Sequence, residues 1–268
     1  MENNCLNQFL PSFLEDVSKK VILEAGKIAM SLKNNITVKY KSENQPVTDV
    51  DIKIDDFLKS SFKKTTPNYG WISEETVDDG SRLSSDYFWC VDPIDGTRSY
   101  INKKPEYTIS VALIKKNEPV LGLVLNPETK ELFSAVKNKG AFCNEKKIKV
   151  NQNIDLYSSK YGISSSEMNK LKKYECFNQD NTIKMGSIAY KIALVAKGTM
   201  DVAISFTKKN DWDIAAADLI LKEAGGYLKN ISGNKLIYNS SQMQVDSVLA
   251  SNSILIEKLC TELNECKK

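Results

Sequence analysis

The string Asp92-Pro93-Ile94-Asp95-Gly96-Thr97 gathers two carboxylates, a rigid proline, a glycine and a hydroxyl. It follows the apolar run Tyr87–Val91, which reads as a strand, so the string is expected in a loop at a strand end. Pro93 stiffens that loop and keeps the carboxylates from collapsing into a helix. Two aspartates on one rigid turn can face a common point. Clustered oxygen ligands suit a hard cation such as Mg²⁺, and without one such close like charges would repel. Gly96 permits positive φ or a close backbone approach to a ligand. The amides of Gly96, Thr97 and Arg98 could then meet a phosphate from a helix start. More carboxylates stand at other element ends. Glu74-Glu75 follows the short strand Trp71–Ser73. Asp213 opens the helix begun by Trp212-Asp213-Ile214-Ala215-Ala216, where the helix dipole favours negative charge. Asp51 lies on an early helix. Taken singly, each could be an ordinary cap or a solvated charge.

The chain contains no histidine. That excludes serine–histidine hydrolases, phosphohistidine phosphatases and histidine-ligated metal hydrolases together. Acid–base chemistry must come from carboxylates, Lys, Tyr, Thr, water or a metal. Arg82 and Arg98 are the only arginines, and Arg98 sits inside the strongest motif. The net charge of +3 gives no argument for a nucleic-acid polymer or a membrane surface. The six cysteines show neither a CxxC pair nor a zinc spacing, and Cys90 and Cys143 read as buried thiols. The first ten residues lack the basic start and apolar run of a signal peptide. No stretch approaches the roughly 20 apolar residues of a membrane span. A reducing cytoplasmic setting is expected.

The elements that must position these residues follow from periodicity. With 268 residues, 41% of them hydrophobic, the chain can bury a sizeable core. Phe9–Leu32 is apolar at helical spacing (Leu10, Leu14, Val17, Val21, Ala25, Ile28, Leu32). Residues 33–46 read as a polar loop. Thr48 and Asp49 can cap a second helix whose apolar face is Ile54, Leu58 and Phe62. Tyr107, Ile109, Val111 and Leu113 alternate with small residues, as in a half-buried strand. Val120–Leu125 and Glu131–Val136 are two more strands, and another short one follows Gly140. The polar segment 151–181 reads as a subdomain junction. Beyond it come a helix over Ser187–Lys197, a strand over Asp201–Phe206, and a helix over Trp212–Ala224 stopped by Gly225-Gly226. Grouped strands followed by helix–strand alternation imply layered sheets and helices in two halves. The expected halves are residues 1–150, carrying most of the acids, and residues 151–268, carrying the pocket and Asp213.

Four strings together resemble the inositol monophosphatase superfamily of Mg²⁺-dependent, lithium-sensitive phosphatases. They are Thr48-x-x-Asp51, Ser73-Glu74-Glu75, Asp92-Pro93-Ile94-Asp95-Gly96-Thr97, and Trp212-Asp213-Ile214-Ala215-Ala216 before Gly225-Gly226. The resemblance implies an α/β fold, the αβαβα sandwich, and a homodimer. It implies two or three Mg²⁺ ions per site. Glu74, Asp92 and the Ile94 carbonyl would hold one ion; Asp92, Asp95 and Asp213 would hold a second. Asp51 and Thr97 would orient and deprotonate the attacking water, with Glu74 part of the catalytic set. Gly96 and Thr97 amides would bind phosphate oxygens. The substrate would be a small phosphate ester.

Three segments bear on which ester. Arg98-Ser99-Tyr100-Ile101 looks more like the bisphosphate nucleotidase and histidinol-phosphatase branches than like inositol phosphatases. Arg98 could pair with a second phosphate or be a surface residue. Gly186 and Ser187, in the family's pocket element, could contact the leaving group, or Gly186 could simply open a helix. Phe206 falls where inositol phosphatases carry a Glu, and an aromatic there suits a flat base. Lys208 and Lys209 could attract a second phosphate or form a solvated turn. The leading expectation is a 3′(2′),5′-bisphosphate nucleotidase converting 3′-phosphoadenosine 5′-phosphate to AMP. Inositol-1-phosphate is the alternative, then histidinol phosphate or a broad set of sugar phosphates. A metal- or nucleotide-binding regulator without turnover is the non-enzymatic alternative.

Overall fold

The apolar runs of the first half pair into one sheet of seven strands, as seen in a computed structural model that describes residues 12–43, 45–174, 177 and 179–265. In spatial order they are Gly70–Ser73, Tyr87–Asp95, Thr108–Lys115, Glu118–Asn126, Glu131–Val136, Ala141–Cys143 and Lys146–Ile148. The first pair is parallel and the rest are antiparallel. One face packs on helices Ser12–Leu32 and Asp49–Thr65 through Ile22, Ile54, Leu58, Phe62, Trp89, Val91 and Val111. The opposite face, with Phe88, Cys90, Ala112 and Val124, packs on helices Ile188–Ala196 and Asp211–Glu223. Full burial of such a side chain is worth about 1.5–3 kcal/mol, so both faces contribute to stability.

Those two helices also cover a second sheet of five strands. Its order is Thr182–Lys184, Tyr161–Ile163, Val202–Ser205, Val248–Ser251 and Tyr227–Lys229. Its outer face packs on the last helix, Ser253–Glu265, through Ile204, Leu249, Leu255 and Leu259. The layers are therefore helix, sheet, helix, sheet, helix, as the αβαβα expectation has it.

Several sequence readings are corrected. Thr108–Lys115 is buried on both faces rather than half-buried: Thr108, Ser110 and Ala112 are as enclosed as Ile109 and Val111. Its small residues admit the middle helix layer. Ala112, Gly122 and Ala135 lie side by side across three strands. A Cβ on Gly122 would come within 2.5 Å of the Ala216 carbonyl oxygen. Residues 33–46, read as a loop, contain most of the hairpin Val38–Ser42 with Gln45–Thr48. The polar segment 151–181 contains Tyr161–Ile163, an interior strand of the second sheet. The first helix is described from Ser12, so Phe9, Leu10 and Pro11 lie outside the described residues, as do Cys5, Cys176 and Cys266. Among the described residues no helix is long and apolar enough to cross a membrane.

Candidate active site

The strand Tyr87–Asp95 runs through the two aspartates instead of ending before them. Asp92 pairs with Ser110 and Asp95 with Thr108, so one extra residue bulges out between them. The parallel neighbour Gly70–Ser73 ends opposite Val91, which leaves Pro93 without a ladder bond to break on that side. The bulge re-aims the carboxylates. Asp92 Oδ1 accepts from the Ile94 amide at 3.0 Å. Gly96 then takes φ +98° and opens the short helix Thr97–Ile101. A Cβ there would crowd the Glu106 carbonyl oxygen at 3.0 Å and the Ser187 amide at 3.2 Å.

Glu74 arrives from the neighbouring strand, its amide donating to the Val91 carbonyl at 3.2 Å. Asp213 arrives from the first turn of Asp211–Glu223, where its carboxylate accepts from the Asn210 amide at 2.7 Å. Glu74, Asp92 and Asp213 each place an oxygen within 4.8 Å of the others'. Burial pushes Asp92 well above the usual carboxylate range, with repulsion from Glu74, Asp95 and Asp213 adding to it. Burial, then Asp95 and Glu74, push Asp213 up to about 8. Such mutual repulsion, in an all-oxygen donor set, fits a hard divalent cation.

Asp95 stands slightly apart from that trio. Its Oδ2 accepts from the Ser187 hydroxyl at 2.6 Å and the Ala189 amide at 2.7 Å, at the start of Ile188–Ala196. Ser187 is itself held at φ +53°, and its hydroxyl oxygen accepts from the Tyr190 amide. Its polar atoms are thus engaged in orienting Asp95 and capping the helix. Gly186 is needed for close packing, since a Cβ would lie 2.2 Å from Ser99 Oγ.

Asp51 sits behind the cluster in the first turn of Asp49–Thr65, where Thr48 is the cap. Its Oδ2 accepts from the Thr48 amide at 3.0 Å, and its Oδ1 lies 3.2 Å from the Thr97 hydroxyl. That hydroxyl also lies 3.1 Å from the Ile94 carbonyl oxygen. Burial pushes Asp51 up to about 6, and hydrogen bonds from Thr48 partly offset it.

These residues open into a cleft of about 530 Å³. Arg98, Gly96, Thr97, Gly186 and Ser187 line it, with Glu74, Asp92, Asp95 and Asp213 at one pole. Phe206, expected in the pocket, is not among the described lining residues. Its ring stacks on Tyr174 at 5.9 Å and packs against the outer core. A carboxylate missed by the sequence reading is there instead. Glu167 lines the cleft, and its Oε1 accepts from the Phe206 amide at 2.6 Å. Ser164, Ser165, Ser166, Lys104, Lys184 and Lys209 also line it. No local string marks the serines or Glu167, which lie in the segment read as a junction.

The fold is a layered α/β one whose strand ends and helix starts bring Glu74, Asp92, Asp95 and Asp213 to one cleft, an oxygen donor set of the kind that suits a hard cation. The chain belongs to the inositol monophosphatase family, whose model matches residues 11–268. A fructose-1,6-bisphosphatase/inositol-1-monophosphatase of Aquifex aeolicus is 34% identical, covering 81% of this chain and 85% of that protein. A 3′(2′),5′-bisphosphate nucleotidase of Buchnera aphidicola is 33% identical, covering 81% and 84%. The solved structure of a Thermotoga maritima IMPase superposes with a TM-score of 0.82 at 26% identity, covering 94% of this chain and 97% of that one. Members of the family are phosphatases, and this chain is an enzyme of that class, a hydrolase of small phosphate esters.

Proposed function

We propose that the chain is a Mg²⁺-dependent phosphomonoesterase whose preferred ester carries a second anionic group, with 3′-phosphoadenosine 5′-phosphate the leading candidate. The observation that carries this reading is the charge content of the cleft: the acids Glu74, Asp92, Asp95 and Asp213 line it together with the basic residues Arg98, Lys104, Lys184 and Lys209. The acids suit cations and the ester phosphate they attract. The basic residues suit a further phosphate on the same ligand. The aromatic argument from Phe206 falls away, because its ring stacks elsewhere. The nucleotidase reading now rests on the basic residues and on the likeness to the Buchnera protein.

Glu74, Asp92, the Ile94 carbonyl and Asp213 would hold cations, with Asp95 as a further ligand through the oxygen that Ser187 does not engage. Bound Mg²⁺ supplies charge neutralisation on phosphate and lowers the pKa of water. The chain's own residues do the rest. Thr97 turns its hydroxyl oxygen toward the attacking water when its proton is directed to Asp51 Oδ1. Asp51 is the proton acceptor, buried enough to hold a pKa near the working range. Gly96 and Thr97 amides cradle the phosphate oxygens at the start of Thr97–Ile101. The buried, unpaired Cys90, Cys143 and Cys260 support a reducing cytoplasmic setting.

A second reading, inositol-1-phosphate, is favoured by Ser164, Ser165 and Ser166, which offer hydrogen bonds to a polyol. Initial rates of phosphate release with Mg²⁺ decide between them, measured for 3′-phosphoadenosine 5′-phosphate, inositol-1-phosphate and histidinol phosphate. A hundredfold preference in kcat/KM is about 2.7 kcal/mol of transition-state discrimination. A preference for the bisphosphate supports the basic residues as a second anion site. A preference for inositol-1-phosphate transfers the weight to the three serines. No release from any ester would refute the phosphatase mechanism.

A further inference from the structure

Lys191 is 1% exposed, yet lysine is among the residues least often fully buried. It lies on Ile188–Ala196, under the cleft rather than in its lining. Its ammonium donates to the Ser164 hydroxyl at 3.1 Å and to the Met185 carbonyl at 3.2 Å. Ser164 and Met185 follow the neighbouring parallel strands Tyr161–Ile163 and Thr182–Lys184, and both line the cleft. The Met185 amide also donates to the Ile163 carbonyl at 3.0 Å. The aliphatic stem has room because residue 162 is glycine: a Cβ there would sit 3.3 Å from Lys191 Cγ. Asp95 and Glu167 are the acids that act on the ammonium, and Lys209 opposes them. Burial outweighs both and lowers the ammonium to about 8.

A buried ammonium is poor value for stability alone, since a well-packed apolar side chain of similar shape often does as well or better. We infer that Lys191 is a positioning residue that fixes the leaving-group wall of the cleft, by tying Ser164 to Met185 across two strand ends. This rests on the phosphatase reading. Lys191 is too buried to touch substrate and acts through Ser164, Met185 and the segments that carry Glu167 and Lys184. The phosphate end, built on Gly96 and Thr97, is held by other contacts. Contacts to the leaving group made equally in ground and transition states affect KM more than kcat.

The test compares wild type with Lys191→Met. The expected result has four parts. KM for the preferred ester rises about tenfold with kcat within about threefold. Inhibition by inorganic phosphate is unchanged. The melting temperature is equal or higher. Amide hydrogen exchange quickens at 164–167 and 184–186 in the free protein. Ser164 is partly exposed, so Ser164→Ala keeps the test open if Lys191→Met fails to fold. It should quicken exchange in the same two segments. In the double variant KM should be no worse than in Lys191→Met, as expected of residues in one hydrogen-bonded unit. A lower melting temperature with KM and exchange unchanged makes Lys191 merely structural. KM and phosphate inhibition weakening together would place its action at the phosphate end and overturn the proposal. If wild type hydrolyses no ester, the phosphatase reading fails, and the exchange measurement alone still decides whether Lys191 ties the wall.

Discussion

Asp213→Asn should make the cation-free protein more stable while removing its cation site. In the fold Asp213 is pushed up to about 8 by burial and by Asp95 and Glu74, against an ordinary value of 3.8. A raised carboxylate favours the protonated form in the fold. Stability is therefore fullest near the unfolded value and is lost as pH rises toward about 8. Each pH unit in that window costs about 1.4 kcal/mol per proton held. Between pH 5.5 and 8 a lone group of this kind would lose about 3 kcal/mol, and since Asp92 and Asp95 compete for the same protons, roughly half is expected. Asparagine keeps an acceptor for the Asn210 amide, now at 2.7 Å, and carries no charge. Urea unfolding in EDTA, at both pH values, measures the effect. The advantage of Asp213→Asn should grow by about 1.5 kcal/mol from pH 5.5 to pH 8, and added Mg²⁺ should stabilise wild type but not the variant. An advantage that is absent, or equal at both pH values, refutes the account of Asp213 as a repelled carboxylate awaiting a cation.

Asp51→Asn and Thr97→Ala should each lower kcat by about 10²–10⁴ with little change in KM, as loss of a positioned proton acceptor does; turnover at the wild-type rate in either variant would remove the pair from the mechanism. Asp51 works as a base only when deprotonated, so kcat/KM should fall as pH drops through about 6, with the bound cation moving that limb lower; a profile level down to pH 4 would exclude it. Millimolar Li⁺ should inhibit by displacing Mg²⁺, and phosphate release unaltered by Li⁺ would count against the assigned cation site. Gly122→Ala should destabilise by about 1–3 kcal/mol, because the new methyl meets backbone at Ala216 that cannot swing aside; thermal unfolding that matches wild type would mean the sheet and helix can part there.

The candidate cation site is more legible in the sequence than the proposed substrate wall, for a physical reason. Asp92, Asp95, Glu74 and Asp213 lie at or just past the ends of strands or in the first turn of a helix, so local patterns alone bring them to boundaries. Even so, Asp92 and Asp95 lie on a bulged strand and not in a loop, because Pro93 finds no neighbour to bond on one side. Ser187 does line the cleft, but its hydroxyl is committed to Asp95 and to its own helix. Phe206 falls in sequence where inositol phosphatases carry a Glu, but sequence position cannot tell where a ring turns. It turned to Tyr174 and left its amide to Glu167. Glu167 and Lys191 carry no local signature at all. Their surroundings are set by a sheet whose strands come from residues 161 to 251.

That sheet has a consequence for how the chain is made. Val248–Ser251 lies between Val202–Ser205 and Tyr227–Lys229, bonded to both. During synthesis every carboxylate of the candidate cation site leaves the ribosome before this strand does, yet the sheet behind the cleft has a gap in its middle until the strand arrives. Until then the nascent chain exposes unpaired strand edges, the kind of surface that invites aggregation. A stop codon at Val248 would remove that strand and the helix Ser253–Glu265 with it. The acids that meet at the cleft are encoded well before the strand that closes the sheet behind it.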